Sequence, residues 1–240
     1  MELPVFYAKD LSSGQGFYTM DEPTSKYCIQ VLRNEKGDKV LLADGRGTRY
    51  EAVITDDHRK KCVLQISGET AMPVPVPHLR IAIAFTKNTS RMEWFLEKAV
   101  EIGIAGIIPL LTQRTEKEKF KAERLENILV SAMLQSKQWY LPVLTEPMPF
   151  DKALGAAGQK LIAHCLPDEK KHLLDVMLPG KDTLLLIGPE GDFTPEEITS
   201  ALEKGCLPVS LGDTRLRTET AGVVGGTLMA AANRAGAKLS

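Results

Sequence analysis

No apolar run in this chain reaches the roughly 18 residues that a membrane-crossing helix needs. The opening Met1-Glu2-Leu3-Pro4 has neither a basic stretch nor an apolar one behind it. Secretion and membrane insertion are therefore not expected, and the cytoplasm is the default compartment. The 4 cysteines, Cys28, Cys62, Cys165 and Cys206, form no Cys-x-x-Cys pair and have no histidine at ligand spacing, which fits reduced thiols and no metal site. Charge of one sign is also lacking: the formal net charge is −1, so a nucleic-acid partner can be argued only from a local basic face. No Gly-x-Gly-x-x-Gly follows a strand and no Gly-x-x-x-x-Gly-Lys-Ser/Thr occurs, which disfavours dinucleotide and P-loop chemistry.

What is there is ordinary globular material: 240 residues, 43% hydrophobic and 25% charged, enough for one large domain or a small one plus a medium one. Over residues 1–72 short apolar runs alternate with turn residues, which reads as β. Val40-Leu41-Leu42-Ala43 meets Asp44-Gly45, a pair suited to the positive φ of hairpin turns, and alternation resumes at Tyr50-Glu51-Ala52-Val53-Ile54. A further strand is expected over 61–66, and a small closed β-barrel is the expected arrangement because closure removes exposed edges. Met72-Pro73-Val74-Pro75-Val76-Pro77 then reads as an extended linker.

From residue 73 strands and helices alternate, the pattern of an α/β domain with a mainly parallel sheet. Strands are expected over 79–85, 107–110, 161–165 and 183–187. Ser90-Arg91-Met92-Glu93 reads as a capping box opening a helix that ends at Gly103, with further helical spacing over 125–132 and 173–177.

Two segments carry candidate chemistry. Thr183-Leu184-Leu185-Leu186-Ile187 runs into Gly188-Pro189-Glu190-Gly191-Asp192-Phe193, after which Thr194, Pro195 and Glu197 supply an N-cap, a first-turn proline and a capping box. Glycines at the carboxyl end of a buried strand lie where open α/β sheets place ligands, though turn geometry alone also explains them. The second segment runs from Leu211-Gly212 through Leu216-Arg217-Thr218-Glu219-Thr220-Ala221 into a helix carrying Gly222, Gly225 and Gly226. With so few bulky side chains that helix must pack closely on its own domain or on a partner. Arg217 and Glu219 are either a solvated pair or part of a site.

Taken together, Ile187-Gly188-Pro189-Glu190-Gly191, Leu211-Gly212 and the 216–221 motif resemble the ribosomal small-subunit RNA methyltransferase E family. Val31-Leu32-Arg33 with Gly37-Asp38, the Asp44-Gly45 turn, Glu97-Lys98-Ala99-Val100-Glu101-Ile102-Gly103 and Pro109 with Thr112 and Arg114 extend the likeness along the chain. Tyr27 stands where the family often has His, Gly191-Asp192 where it often has Gly-Gly, and an N-terminal Arg is absent.

The resemblance implies a PUA-like β-barrel over 1–72 and a SPOUT α/β domain over 73–240, threaded into a trefoil knot. It implies S-adenosyl-L-methionine as cofactor, methylation of a uridine N3 in 16S ribosomal RNA, free or within the 30S subunit, and a homodimer. The cofactor residues it carries over are His164 and Cys165, Ile187, Gly188, Pro189, Glu190 and Gly191, and Leu211, Gly212, Leu216, Arg217, Thr218, Thr220 and Ala221. Arg217 and Glu219 are the catalytic candidates. Arg33, Lys87, Arg91, Arg114 and Lys137, with Lys117, Lys119 and Lys121, are RNA-binding candidates, although Glu116, Glu118 and Glu123 interleave with them. A different RNA position, or a non-catalytic RNA-binding module, would share these features.

Overall fold

Thr183–Ile187 is buried at every position, which a strand achieves only when both faces of its sheet are covered. In a computed structural model describing residues 3–116, 120–167 and 169–236, this strand lies inside an eight-stranded sheet. The chain resolves into two compact units, one reaching to Val74 and including Met133–Leu141, the other holding Pro75–Ala132 and the chain from Pro142 onward.

The first unit contains β1 (Val5–Tyr7), β2 (Phe17–Thr19), α1 (Glu22–Lys26), β3 (Lys39–Ala43), β4 (Thr48–Asp56) and β5 (Val63–Ala71). Its sheet has the order β1-β3-β4-β5-β2 and stays open, with β1 and β2 as its two edges. The expected closed barrel is thus corrected to a curled, open sheet. Each edge strand has only 3 residues, so little unpaired backbone is exposed and closure is not needed to protect it. Two register shifts between β4 and β5 supply the curl. The Asp44 carboxylate accepts from the backbone N–H groups of Arg46 (2.8 Å) and Thr48 (3.0 Å), so a four-residue loop replaces a tight two-residue turn. Gly47, at φ +98°, lies under the Tyr140 ring, where any Cβ would collide, and the Tyr140 hydroxyl donates to the Met72 carbonyl (3.0 Å). Residues 133–141 are thereby tied to the first unit, a return that no local pattern signals.

In the second unit β6 (Leu79–Ile83), α2 (Thr89–Ile102), β7 (Gly106–Leu111), α3 (Ala122–Gln135, whose residues from Met133 on belong to the first unit), β8 (Val143–Leu144), β9 (Met148–Pro149) and α4 (Phe150–Ala153) come first. There follow β10 (Gln159–Ala163), β11 (Lys171–His172), α5 (Leu173–Val176), β12 (Thr183–Ile187), α6 (Pro195–Glu203), β13 (Leu207–Ser210) and α7 (Thr218–Gly236). The sheet order is β11-β13-β10-β12-β6-β7-β8, and every pairing in it is parallel. One face packs Leu184, Leu186 and Ile162 with Phe150, Phe193 and Ile198. The other meets α2 and α7, where Gly222 fits against Phe95 and Ile83 and Gly226 against Ile104 and Ile81. The close packing required by the small-residue helix is therefore provided by large side chains of its own unit.

Ser90 does not cap α2. Asn88 does, its side chain accepting from the Arg91 N–H (3.1 Å), which leaves Ser90 inside the first turn. Asn in the extended conformation is at least as good a cap, and two earlier residues become helical by using it. Gly103 closes the helix at φ +92° as expected. At α6 the capping box is complete: Thr194 accepts from the Glu197 N–H (3.2 Å) and Glu197 accepts from the Thr194 N–H (2.9 Å). Thr194→Ala is expected to lower stability by about 1–2 kcal/mol in denaturant unfolding.

Among the described residues no helix is long and apolar enough to cross a membrane, and no group of three or more His, Cys, Asp or Glu side chains could hold a metal ion.

Candidate functional site

Strands β13, β10 and β12 are parallel neighbours, with Ala163 level with Ile187 on one side and with Val209 on the other. Their carboxyl ends therefore stop at one height. The loops that leave them, 164–167, 188–194 and 211–217, emerge together on the edge where open α/β sheets bind ligands.

Two clefts lie among these loops. One, of about 360 Å³, is lined by Cys165, Ile187, Gly188, Pro189, Glu190, Asp192, Leu216, Arg217, Thr218 and Ala221 among others. Its neighbour, of about 380 Å³, is lined by His164, Cys165, Leu211, Gly212, Leu216 and Ala221, with Lys170, Ser210, Asp213 and Thr214. Ala163, Cys165, Arg215, Leu216 and Ala221 border both. Most of the expected cofactor residues are brought together here. Gly191 and Thr220 line neither cleft: the Gly191 carbonyl accepts from Arg114 Nη1 at 2.5 Å, and Thr220 is half-buried on α7.

The walls are held by specific bonds. The Thr218 hydroxyl donates to the Gly188 carbonyl (3.2 Å), joining the start of α7 to the glycine loop. Gly188 is needed for packing, since a Cβ would sit 3.2 Å from the Phe193 ring and from its backbone nitrogen. Gly212 has a different reason: its φ of +143° suits glycine alone, and a Cβ there would meet no protein atom within 4 Å. The buried Glu197 carboxylate accepts from the Gln113 N–H (2.8 Å) as well as from Thr194, fastening the loop after β7 to the start of α6. Nearby, its own backbone N–H, the Thr194 hydroxyl and the Arg114 charge hold the Glu196 carboxyl below the ordinary range.

The two catalytic candidates part company. Arg217 is exposed, lines the first cleft, and has no side-chain partner among the described residues. Glu219 lines neither cleft; it is 6% exposed on the first turn of α7, with Oε1 3.5 Å from Arg91 Nε. Arg91 and Arg114 are engaged with Glu219 and Gly191, and Lys87 Nζ lies 3.2 Å from Glu116. Arg33 and Lys137 are exposed in the first unit at φ +59° and +56°. Lys121 is exposed, while Lys117 and Lys119 lie outside the described residues.

Asp192 and Arg215 escaped the sequence reading as site residues. Arg215 borders both clefts, and one of its guanidinium nitrogens lies 3.5 Å from the Glu190 carbonyl. Asp192 stands in the left-handed region at φ +61°; its Oδ1 accepts from the Phe193 N–H (2.8 Å) and its Oδ2 from the Cys165 N–H (2.7 Å). The departure from Gly-Gly at this position was the available signal, because a side chain that keeps a glycine conformation usually has bonds to hold it there.

An all-parallel α/β sheet with three loops converging at its carboxyl edge, in a chain that also carries a small β unit, defines a two-unit α/β protein with a ligand-binding edge. The family model described as RNA methyltransferase domain matches residues 73–230, and the one described as RNA methyltransferase PUA domain matches residues 21–67. A ribosomal RNA small subunit methyltransferase E from Synechocystis sp. is 33% identical over 208 residues, covering 82% of this chain and 67% of that protein. A probable rRNA-methyltransferase from Porphyromonas gingivalis superposes with a TM-score of 0.90 at 39% identity, covering 97% of this chain and 99% of that one. The ribosomal RNA small subunit methyltransferase E of Neisseria gonorrhoeae, solved bound to S-adenosyl methionine, has a TM-score of 0.82 at 27% identity, covering 95% and 97%. The chain belongs to the ribosomal RNA small subunit methyltransferase E family.

Proposed function

We propose that this chain uses S-adenosyl-L-methionine to methylate N3 of a uridine in 16S ribosomal RNA, as a cytoplasmic homodimer acting during small-subunit maturation. The observation that carries the reading is the convergence of the 164–167, 188–194 and 211–217 loops on two adjoining clefts with Arg217 at one of them. The residues suit such a cofactor: no protein atom crowds Gly212, and the two adjoining clefts of about 360 and 380 Å³ are lined by both apolar and polar residues. Its relative from Neisseria gonorrhoeae binds that molecule.

Cys165, Gly188, Pro189, Glu190, Leu216, Thr218 and Ala221 would hold the cofactor in the first cleft, and His164, Leu211 and Gly212 in the second. The cofactor supplies a methyl group on a positively charged sulfur. Uridine N3 becomes a nucleophile when its weakly acidic proton passes to solvent water at the open cleft, and negative charge then spreads onto the flanking carbonyl oxygens. Arg217, with no competing partner, donates to one of those oxygens and stabilises that charge. Glu219, paired with Arg91, orients the 211–217 loop and the first turn of α7 behind it.

A trefoil knot is the proposed path of the C-terminal part. In its support, β13 lies beyond β10, yet the next element, α7, packs back over β6, β12 and α2 on the other side of β10. The half-buried Val223, Val224 and Leu228 on α7 support a partner subunit there.

The first unit is proposed to grip the RNA, with Arg33 and Lys137 as phosphate contacts. Two such contacts predict a loss of roughly tenfold in affinity for a 16S ribosomal RNA fragment between about 50 and 200 mM salt, measured by filter binding; a flat response would remove them. The activity itself is tested by mass spectrometry of 16S ribosomal RNA from a strain lacking the gene. One missing methyl on a uridine N3, restored by the wild-type gene, is the expected result. An intact methylation pattern, or a methyl missing elsewhere, would overturn the assignment.

A further inference from the structure

We propose that Asp192 is a positioning residue that sets the distance between two walls of the cofactor cleft before the cofactor arrives. The inference rests on the cofactor-binding reading above. Strands β10 and β12 are held in register as far as Ala163 and Ile187. Past that level their chains separate to make room for the cleft, and no ladder hydrogen bond can hold them.

Asp192 replaces the ladder at the point where it stops. Its own position is fixed from beneath: the Asp192 N–H donates to the Pro189 carbonyl (2.9 Å), and the next residue, Phe193, is 1% exposed with its ring 5.3 Å from that of Phe150. From this anchored site Oδ1 accepts the Phe193 amide and Oδ2 reaches across to the Cys165 amide. One carboxylate thus joins the glycine loop to the loop after β10 through two charge-assisted bonds. Asp192 and Cys165 both line the first cleft, and Cys165 lines the second as well, so this bond sets the geometry of a shared wall. A wall ordered in advance does not have to be ordered by the ligand, and that difference is read as affinity.

The left-handed backbone makes the test clean. At φ +61° glycine is the unstrained residue, so Asp192→Gly deletes the bridge while relieving the backbone, and the fold should melt no earlier than wild type. Asp192→Asn keeps the shape but has one acceptor oxygen for two amides, and its effect should be intermediate. Hydrogen exchange at the Cys165 amide, followed by mass spectrometry without cofactor, reads the bond directly. Calorimetry with S-adenosylmethionine and steady-state kinetics read its consequence.

For Asp192→Gly the expected results are exchange at Cys165 faster by about tenfold or more, and cofactor Kd and KM raised roughly tenfold. Turnover at saturating cofactor should stay within about threefold of wild type, because no reacting group is lost. Unchanged exchange at Cys165, or unchanged cofactor affinity in both variants, overturns the proposal. If the wild-type chain binds no S-adenosylmethionine, the proposed function fails instead, and the exchange comparison still decides whether Asp192 holds the loop.

Discussion

Replacing Arg217 with Ala is expected to reduce methyl transfer to 16S ribosomal RNA by about 10²–10³-fold, with S-adenosylmethionine affinity within a few-fold of wild type. The asymmetry follows from where Arg217 stands. Its side chain is exposed and has no partner among the described residues, so truncation orphans no buried group and the melting temperature should not move. What disappears is a donor whose contribution rises as negative charge develops on the uridine, and such a loss falls on turnover rather than on cofactor binding. Single-turnover methyl transfer with saturating cofactor, beside calorimetry, separates the two; unchanged turnover removes Arg217 from the mechanism. Glu219→Gln is the companion experiment. If Glu219 orients the loop through its ion pair with Arg91, glutamine keeps the side chain's size and loses only the charge, so turnover should stay within about tenfold, with an unaltered pH profile. A loss as deep as that of Arg217→Ala, with the pH profile changed, would assign Glu219 to proton removal.

Gly222→Val is expected to destabilise the second unit by about 3 kcal/mol and lower Tm by roughly 6–12 °C, in spite of a helix-propensity gain of about 0.4 kcal/mol. The sign is decided by packing. A Cβ at Gly222 would lie 2.5 Å from Phe95 Cε2, 2.7 Å from Phe95 Cδ2 and 2.9 Å from Ile83 Cδ1, closer than real contacts allow. Both neighbours are fully buried and have nowhere to swing. Gly222→Ala should show the same direction at smaller size. Thermal unfolding followed by circular dichroism checks both, and a variant as stable as wild type would show that α7 can lift away from α2. A shift of α7 would also carry Arg217 and Thr218 with it, so the surviving folded fraction should bind cofactor more weakly.

Parts of this molecule were legible because their signals are local. Four apolar residues after Thr183, a glycine turn and then Thr194, Pro195 and Glu197 within a few positions specify β12, its loop and the start of α6, and the structure has each of them. The change from short β runs to alternating strands and helices likewise signalled an α/β fold with a mainly parallel sheet. Where two local signals competed, as Asn88 and Ser90 did for the start of α2, proximity in sequence could not rank them, and the bond to the Arg91 amide decided.

By itself, then, the sequence determined the class of fold, the turn and cap chemistry of the 188–194 loop, and the need for α7 to pack closely. Only the tertiary structure decided what those features meet. The first sheet is open because β1 joins β3 in parallel and leaves β2 at the other edge. Tyr140 returns to cover Gly47, Glu219 turns away from Arg217 toward Arg91, and Arg114 serves the Gly191 carbonyl. The physical reason is range. Capping, turns and periodicity act over a few residues, whereas which loops face one another follows from strand order, set by pairings between segments far apart in the chain.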